Sequence, residues 1–178
     1  MGPPAPASEP GAPADGTVAQ QAPSSQGVPE SRSCGQVVLH PSREEYPGLL
    51  GTLHDDGFVL CVDLTAADYL TAPDRVVAAG VETERFELVL NLVDPEQRRR
   101  VRLRVQVPGD DPVVPTAVDM HPGVEAMERE VFDMFGITFA GHPDPTRILM
   151  PDDWDGHPLR KDYALGRIPV QFKAAEGR

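Results

Sequence analysis

Three carboxylates and an imidazole stand close together along the chain: Glu128, Glu130 and Asp133, followed by His142. Glu130 and Asp133 are three residues apart, so a helix sets them on one face. Carboxylate and imidazole together could ligate a metal or work as general acid and base. Against a metal, tight ligand spacings such as HExxH are missing, and Arg129 between the acids competes as an internal ion-pair partner. A free-standing metal-dependent enzyme built on Glu130, Asp133 and His142 stays open as an alternative of a different class.

A second group is denser. Residues 141–163 carry His142, Asp144, Arg147, Asp152, Asp153, Asp155, His157, Arg160, Lys161 and Asp162. Such a segment is either solvated and cross-paired, or pinned by bidentate pairs of Arg147 and Arg160 with carboxylates. Trp154, the sole tryptophan, lies among these charges with Met150 and Leu159 nearby and supplies an apolar anchor. The second reading is favoured, and such an arm needs a surface to lie on. Other chemistry lacks a motif: no GxGxxG follows a strand, and neither GxxxxGK[ST] nor GxSxG occurs. The two cysteines, Cys34 and Cys61, cannot supply the four thiolates of an iron–sulfur cluster or zinc ribbon. Both are expected to be reduced thiols, with Cys61 a small core residue in the apolar run Phe58–Leu64.

Helices and a hairpin must position these groups. Ser42 and Glu45 have capping-box spacing ahead of Tyr46, Leu49, Leu50 and Leu53, which predicts a first helix ended by Asp55-Asp56-Gly57. Phe58–Val62 has strand character, and Thr65–Leu70 reads as a brief helix. Phe86, Leu88, Leu90 and Leu92 alternate on one strand, and Val101, Leu103, Val105 and Val107 on the next. Pairing Val93 with Arg98 sets Leu90 opposite Val101 and Glu87 opposite Arg104. The second face of that hairpin holds Arg98, Arg100, Arg102 and Arg104, read as a solvated or helix-covered face or as a docking surface for an acidic partner. Val124, Met127, Val131, Met134 and Phe135 predict a second helix up to Gly136, with Glu125, Glu128, Arg129, Glu130 and Asp133 on its polar side. Beyond Ile137 the prolines predict an extended arm.

The 178 residues suit one domain with tails. Residues 1–33 hold seven prolines and no aromatic residue, so a disordered tail is expected there. Residues 34–136 form the α+β core, and residues 137–178 the extended partner-binding arm. A net charge of −12 excludes nucleic acid as the main partner, since phosphate neutralisation needs surplus Lys and Arg. No stretch approaches the roughly 18 apolar residues of a membrane span, so membrane contact is expected only through a partner.

At residues 128–163 the text "EREVFDMFGITFAGHPDPTRILMPDDWDGHPLRKDY" resembles the signature region of the C-type subunit of the proton-pumping NADH:quinone oxidoreductase, respiratory complex I, bacterial type. Arg85-Phe86-Glu87 at the hairpin start is also similar to the family's body. Pro115-Thr116, and Gly123 to Met127 ahead of Glu-Arg-Glu, depart from the usual pattern.

The resemblance implies a two-layer α+β domain: a mixed or antiparallel sheet packed by helices, with an extended C-terminal arm. It implies a cofactor-free, non-catalytic scaffold in the peripheral arm of a proton-translocating enzyme, bound to the D-type subunit and near the B-type subunit, which together form the quinone site. FMN, iron–sulfur clusters and quinone are then expected on partner subunits, at the cytoplasmic face of the inner or plasma membrane. Within that picture Glu128, Arg129, Glu130 and Asp133 fix the helix against the arm. Arg147, Trp154, His157, Arg160, Lys161 and Tyr163 hold the arm on its partner, and His142, Asp152 and Asp162 belong to the same motif. A homologous component of a membrane-bound hydrogenase or F420-type dehydrogenase is the alternative within the same fold.

Overall fold

The computed structural model describes Ser25 and residues 27–164. In chain order these form β1 (Glu30–Ser33), β2 (Gln36–Leu39), α1 (Tyr46–Asp55), β3 (Leu60–Asp68), β4 (Phe86–Asp94), β5 (Arg99–Val107), β6 (Val113–Pro115), α2 (Glu125–Phe135) and β7 (Thr138–Ala140). Five strands make one mixed sheet in the order β1-β2-β5-β4-β3, with β2 and β5 parallel and the other neighbours antiparallel. β6 and β7 form a separate parallel pair. One sheet face and the two helices enclose the core, giving the expected two-layer α+β architecture.

The first helix starts as its sequence dictates. The amide of Glu45 donates to Ser42 Oγ at 3.2 Å, and the amide of Ser42 donates to a Glu45 carboxylate oxygen at 2.9 Å. This reciprocal pair satisfies two N–H groups in the turn that leads into α1. Tyr46, Leu49, Leu50 and Leu53 then share one face and are fully buried, each leucine contributing about 1.5–3 kcal/mol of burial.

The β4–β5 hairpin has the expected faces but a register two residues away. Leu90 pairs with Leu103 and Phe86 with Val107, and the closing pair is Asp94 with Arg99 rather than Val93 with Arg98. The cause lies in the turn. Asp94 accepts the amides of Glu96 and Gln97 at 3.0 Å each and takes the Arg99 guanidinium at 2.8 Å in a buried ion pair. A two-residue shift leaves every side chain on its own face, so the hydrophobic pattern could not distinguish the alternatives. Glu87 now faces Gln106, and Arg104 reaches it diagonally at 2.6 Å.

Two further expectations are corrected. Thr65–Asp68 continues strand β3, because Thr65, Ala66, Ala67 and Asp68 pair with Val89, Leu88, Glu87 and Phe86; the ladder overrides the helical leaning of the alanines. Strand β1 falls inside the stretch expected to be disordered. It pairs with β2 through a turn in which Cys34 and Gly35 have φ of 50° and 76°, the two positive values that a tight hairpin turn requires. Residues 1–24 and Gln26 of that stretch, and 165–178 of the arm, lie outside the described residues. Among the described residues no helix is long and apolar enough to cross a membrane.

Candidate functional site

Helix α2 is the organiser of the charged motif. Its C-terminal turn ends at Gly136 with φ 70°, a left-handed cap that glycine takes without strain. The exposed carbonyls of that end collect donors from the arm. His157 Nδ1 donates to Asp133 O at 3.0 Å, the Leu159 amide to Met134 O at 3.0 Å, and Arg160 Nε to Phe135 O at 2.5 Å. Helix C-termini carry partial negative charge, so the Arg160 cation suits this place.

Asp133 holds the same arm from its side chain. One carboxylate oxygen accepts the amides of Ile148, Leu149 and Met150 at 3.1, 2.8 and 2.8 Å, and the other takes Arg147 Nη1 at 2.6 Å. Burial raises the cost of its charge, but the three amides and the guanidinium outweigh it and hold the carboxyl below its usual range. Arg147 continues to Gly156 O at 3.1 Å, and Arg129 donates to Thr146 O and Arg147 O at 3.1 and 3.2 Å.

Glu128 faces the other way, toward the segment before the helix. It accepts from Thr116 Oγ1 at 2.5 Å and from the Ala117 amide at 2.7 Å, fully buried. Burial pushes its carboxyl above the usual range despite these bonds. His142 stands 3.9 Å from it. The Asp144 amide donates to His142 Nδ1, so the ring proton sits on Nε2 and is donated to Glu125 O at 3.1 Å.

The sequence-predicted residues therefore divide. Asp133 and Arg129 bond the arm from the helix, whereas Glu128 bonds residues 116–117. Glu130 is exposed and has no side-chain bond to another described residue. Arg147 pairs with a carboxylate through one nitrogen, not a bidentate fork, and Arg160 binds carbonyls rather than a carboxylate. Arg147, His157 and Arg160, expected to reach a partner, are turned onto their own domain. Trp154 is half-buried with Nε1 unbonded among the described residues. Asp152 is exposed, and Tyr163 lies against Gly156.

Two acids expected on the polar side of α2, Glu128 and Asp133, are buried. Glu128 lies four residues after Val124 and three before Val131, within the apolar stripe, which is the signal that marks it. The sequence marks Asp68 by no pattern and Arg85 only as the first residue of the Arg85-Phe86-Glu87 likeness. Arg85 bridges Asp68 at 2.9 Å and Asp162 at 2.8 Å, and the Lys161 amide donates to Asp68 at 2.9 Å, so β3 and the residue before β4 clamp the far end of the motif. No local pattern in the sequence links positions 68 and 161.

The donor set does not favour a metal at Asp133, because both its oxygens are already filled by four donors. Among the described residues no three His, Cys, Asp or Glu side chains converge as metal ligands. Among the side chains the arm exposes are three large apolar ones, Ile148, Leu149 and Leu159, at 42%, 55% and 49%.

A profile of the family described as the respiratory-chain NADH dehydrogenase 30 Kd subunit matches residues 39–168. The C-type subunit of the NADH-quinone oxidoreductase of Saccharopolyspora erythraea is 43% identical over 146 residues, covering 80% of this chain and 55% of that relative. Its counterpart in Acidothermus cellulolyticus is 43% identical over 144 residues, covering 79% and 70%. The chain spans little more than half the length of several curated relatives it matches. Among solved structures, the trypsin-resistant fragment of Nqo5 superposes with a TM-score of 0.60 at 35% identity, covering 67% of this chain and 90% of the fragment. The archaeal membrane-bound sulfane sulfur reductase contains a chain with TM-score 0.63 at 24% identity, covering 76% of each chain, a likeness of fold.

Proposed function

We propose, from the premise that this chain belongs to the family of the respiratory-chain NADH dehydrogenase 30 Kd subunit, that it is a cofactor-free scaffold of an NADH:quinone oxidoreductase. In this reading it binds the D-type subunit, with the B-type subunit nearby, and supports electron transfer from NADH to quinone coupled to proton translocation. FMN, the iron–sulfur clusters and quinone reside on partner subunits, and the chain sits peripherally at the cytoplasmic face of the membrane.

One observation carries the reading. Arg147, His157 and Arg160 turn inward, onto the end of α2 and Asp133, while Ile148, Leu149 and Leu159 are exposed. A free surface loop does the reverse. Irregular backbone with ordered apolar side chains exposed is the anatomy of a preformed docking segment. The buried charges of Asp133 and Glu128 are engaged by backbone amides and neighbouring side chains of their own domain.

Affinity purification of the tagged chain from native membranes tests this. Recovery of the B-type and D-type subunits with NADH:quinone activity is the expected outcome. A hydrogenase large subunit in their place selects the homologous complex, and a lone metal-loaded protein defeats the scaffold reading.

A further inference from the structure

The sheet has a second face that neither helix covers. By register it carries Thr65, Asp63 and Leu60 on β3, opposite Val89, Asn91 and Val93 on β4, which face Arg104, Arg102 and Arg100 on β5. None of these side chains belongs to the core cluster. The connection between β3 and β4 covers one end: Arg75 stacks over Tyr69 at 3.7 Å and bonds Gln106, while Arg75 and Arg104 share the buried carboxylate of Glu87. Both cations at that end are thus paired with a carboxylate.

The other end is open. There Arg102 donates only to neutral oxygens, Asn91 Oδ1 at 2.8 Å and Gln36 Oε1 at 3.4 Å, and Arg100 is exposed with its guanidinium unpartnered among the described residues. Both line a cleft with Gln36, Val62, Asn91 and Val93. Asp63 is the acid beside it, and its carboxylate is engaged by Asn91 Nδ2 at 3.2 Å. Among the described residues, the guanidiniums of Arg75, Arg100, Arg102 and Arg104 meet the carboxylates of Asp63 and Glu87 on this face. The face is cationic on a chain whose net charge is −12.

Next to this cationic end the edge of the sheet is apolar. β3 is the outermost strand, and Val59, Leu60 and Val62 at its start are between 45% and 49% exposed. A bulge between Cys61 and Asp63 interrupts the ladder there. Apolar side chains beside two uncompensated arginines fit a segment that offers the opposite charge.

We infer that this open end of the outer sheet face docks an acidic segment of a partner protein of the same complex, its carboxylates on Arg100 and Arg102 and its apolar side chains on Leu60, Val62 and Val93. This rests on the scaffold reading above, but it names a surface separate from the arm. The docking chemistry is that of guanidinium–carboxylate pairs closed over by an apolar rim, which shields them from salt.

The test uses the full chain in native membranes. Val62, and separately Leu149 on the arm, is replaced by the photo-crosslinker p-benzoylphenylalanine, and the cross-linked peptide is identified by mass spectrometry. Val62 is expected to capture one partner segment in which Asp and Glu outnumber Lys and Arg. Adding Arg100→Glu with Arg102→Glu is expected to cut that yield about tenfold, while Arg100→Lys with Arg102→Lys retains most of it. The yield from Leu149 stays unchanged in both, which separates a lost surface from a lost fold. Capture from Leu149 but not from Val62 overturns the surface and leaves the scaffold reading standing. Capture of lipid, or of a neutral or basic segment, also overturns it. Capture from neither position, with no co-purifying partner, overturns both.

Discussion

Asp133 and Arg147 meet at 2.6 Å, and the same carboxylate takes the next three backbone amides after Arg147, so one side chain of α2 sets the path of the arm. This is the pivot of the motif. Irregular chain has no ladder of its own, and here a buried acid substitutes for one.

Replacing Asp133 by Ala strands four donors and is expected to cost about 3–5 kcal/mol in urea unfolding. It also frees the arm, so limited trypsin digestion cuts at Arg147, Arg160 and Lys161 before the core. The carboxyl is held below its unfolded value of 3.8. Its contribution is therefore complete above that pH and is lost as pH falls through the depressed value. Asp133→Asn removes that acid dependence, which unfolding curves at successive pH values read directly.

Gly136→Ala places a methyl group 2.6 Å from Arg160 Nη2 and from His157, at φ 70°. The expected cost is about 1–3 kcal/mol. Hydrogen exchange at the Leu159 amide, which donates to Met134 O, should accelerate more than exchange in β4 or β5. Equal acceleration everywhere would mean that the arm and the core open together.

Glu128 behaves oppositely to Asp133. Its carboxyl is raised by burial, so the folded state bears a charge penalty above the raised value that disappears as pH falls toward the unfolded 4.5. Glu128→Gln keeps an acceptor for the Ala117 amide and can donate to Thr116. Its melting temperature relative to the parent is expected to be highest at alkaline pH and to converge on acidification. A variant that instead loses ground as pH rises would show that the charged form, beside His142, is the stabilising one.

Tyr46 is fully buried and its hydroxyl has no hydrogen-bond partner among the described residues. Burial also drives its pKa well up. Tyr46→Phe removes an unsatisfied polar atom without changing the ring, and a gain of about 1 kcal/mol is expected in denaturant melts.

Both helices, the two faces of the hairpin and the family were legible in the residues, for local reasons. Capping, a period of 3.6, strict alternation and a 36-residue motif are short-range properties, and short-range properties survive being read in one dimension. Ser42 with Glu45, Leu49 with Leu53, and Phe86 with Leu92 each declare their element within a few positions. Strand β1 was invisible because its Cys34-Gly35 turn lacks the usual Asn-Gly signal and its four residues carry no alternation.

Whatever depended on distant partners was decided by the tertiary structure alone. The hairpin register turned on the buried Asp94–Arg99 pair, since a shift by two residues leaves both faces unchanged. The direction of His157 and Arg160 turned on the orphan carbonyls at the end of α2, which accept from both. Asp68 met Lys161 across 93 residues of chain, and Glu128 went inside while Glu130 stayed out. In each case the residue types admitted several pairings, and burial selected the one that left the fewest polar groups without a partner.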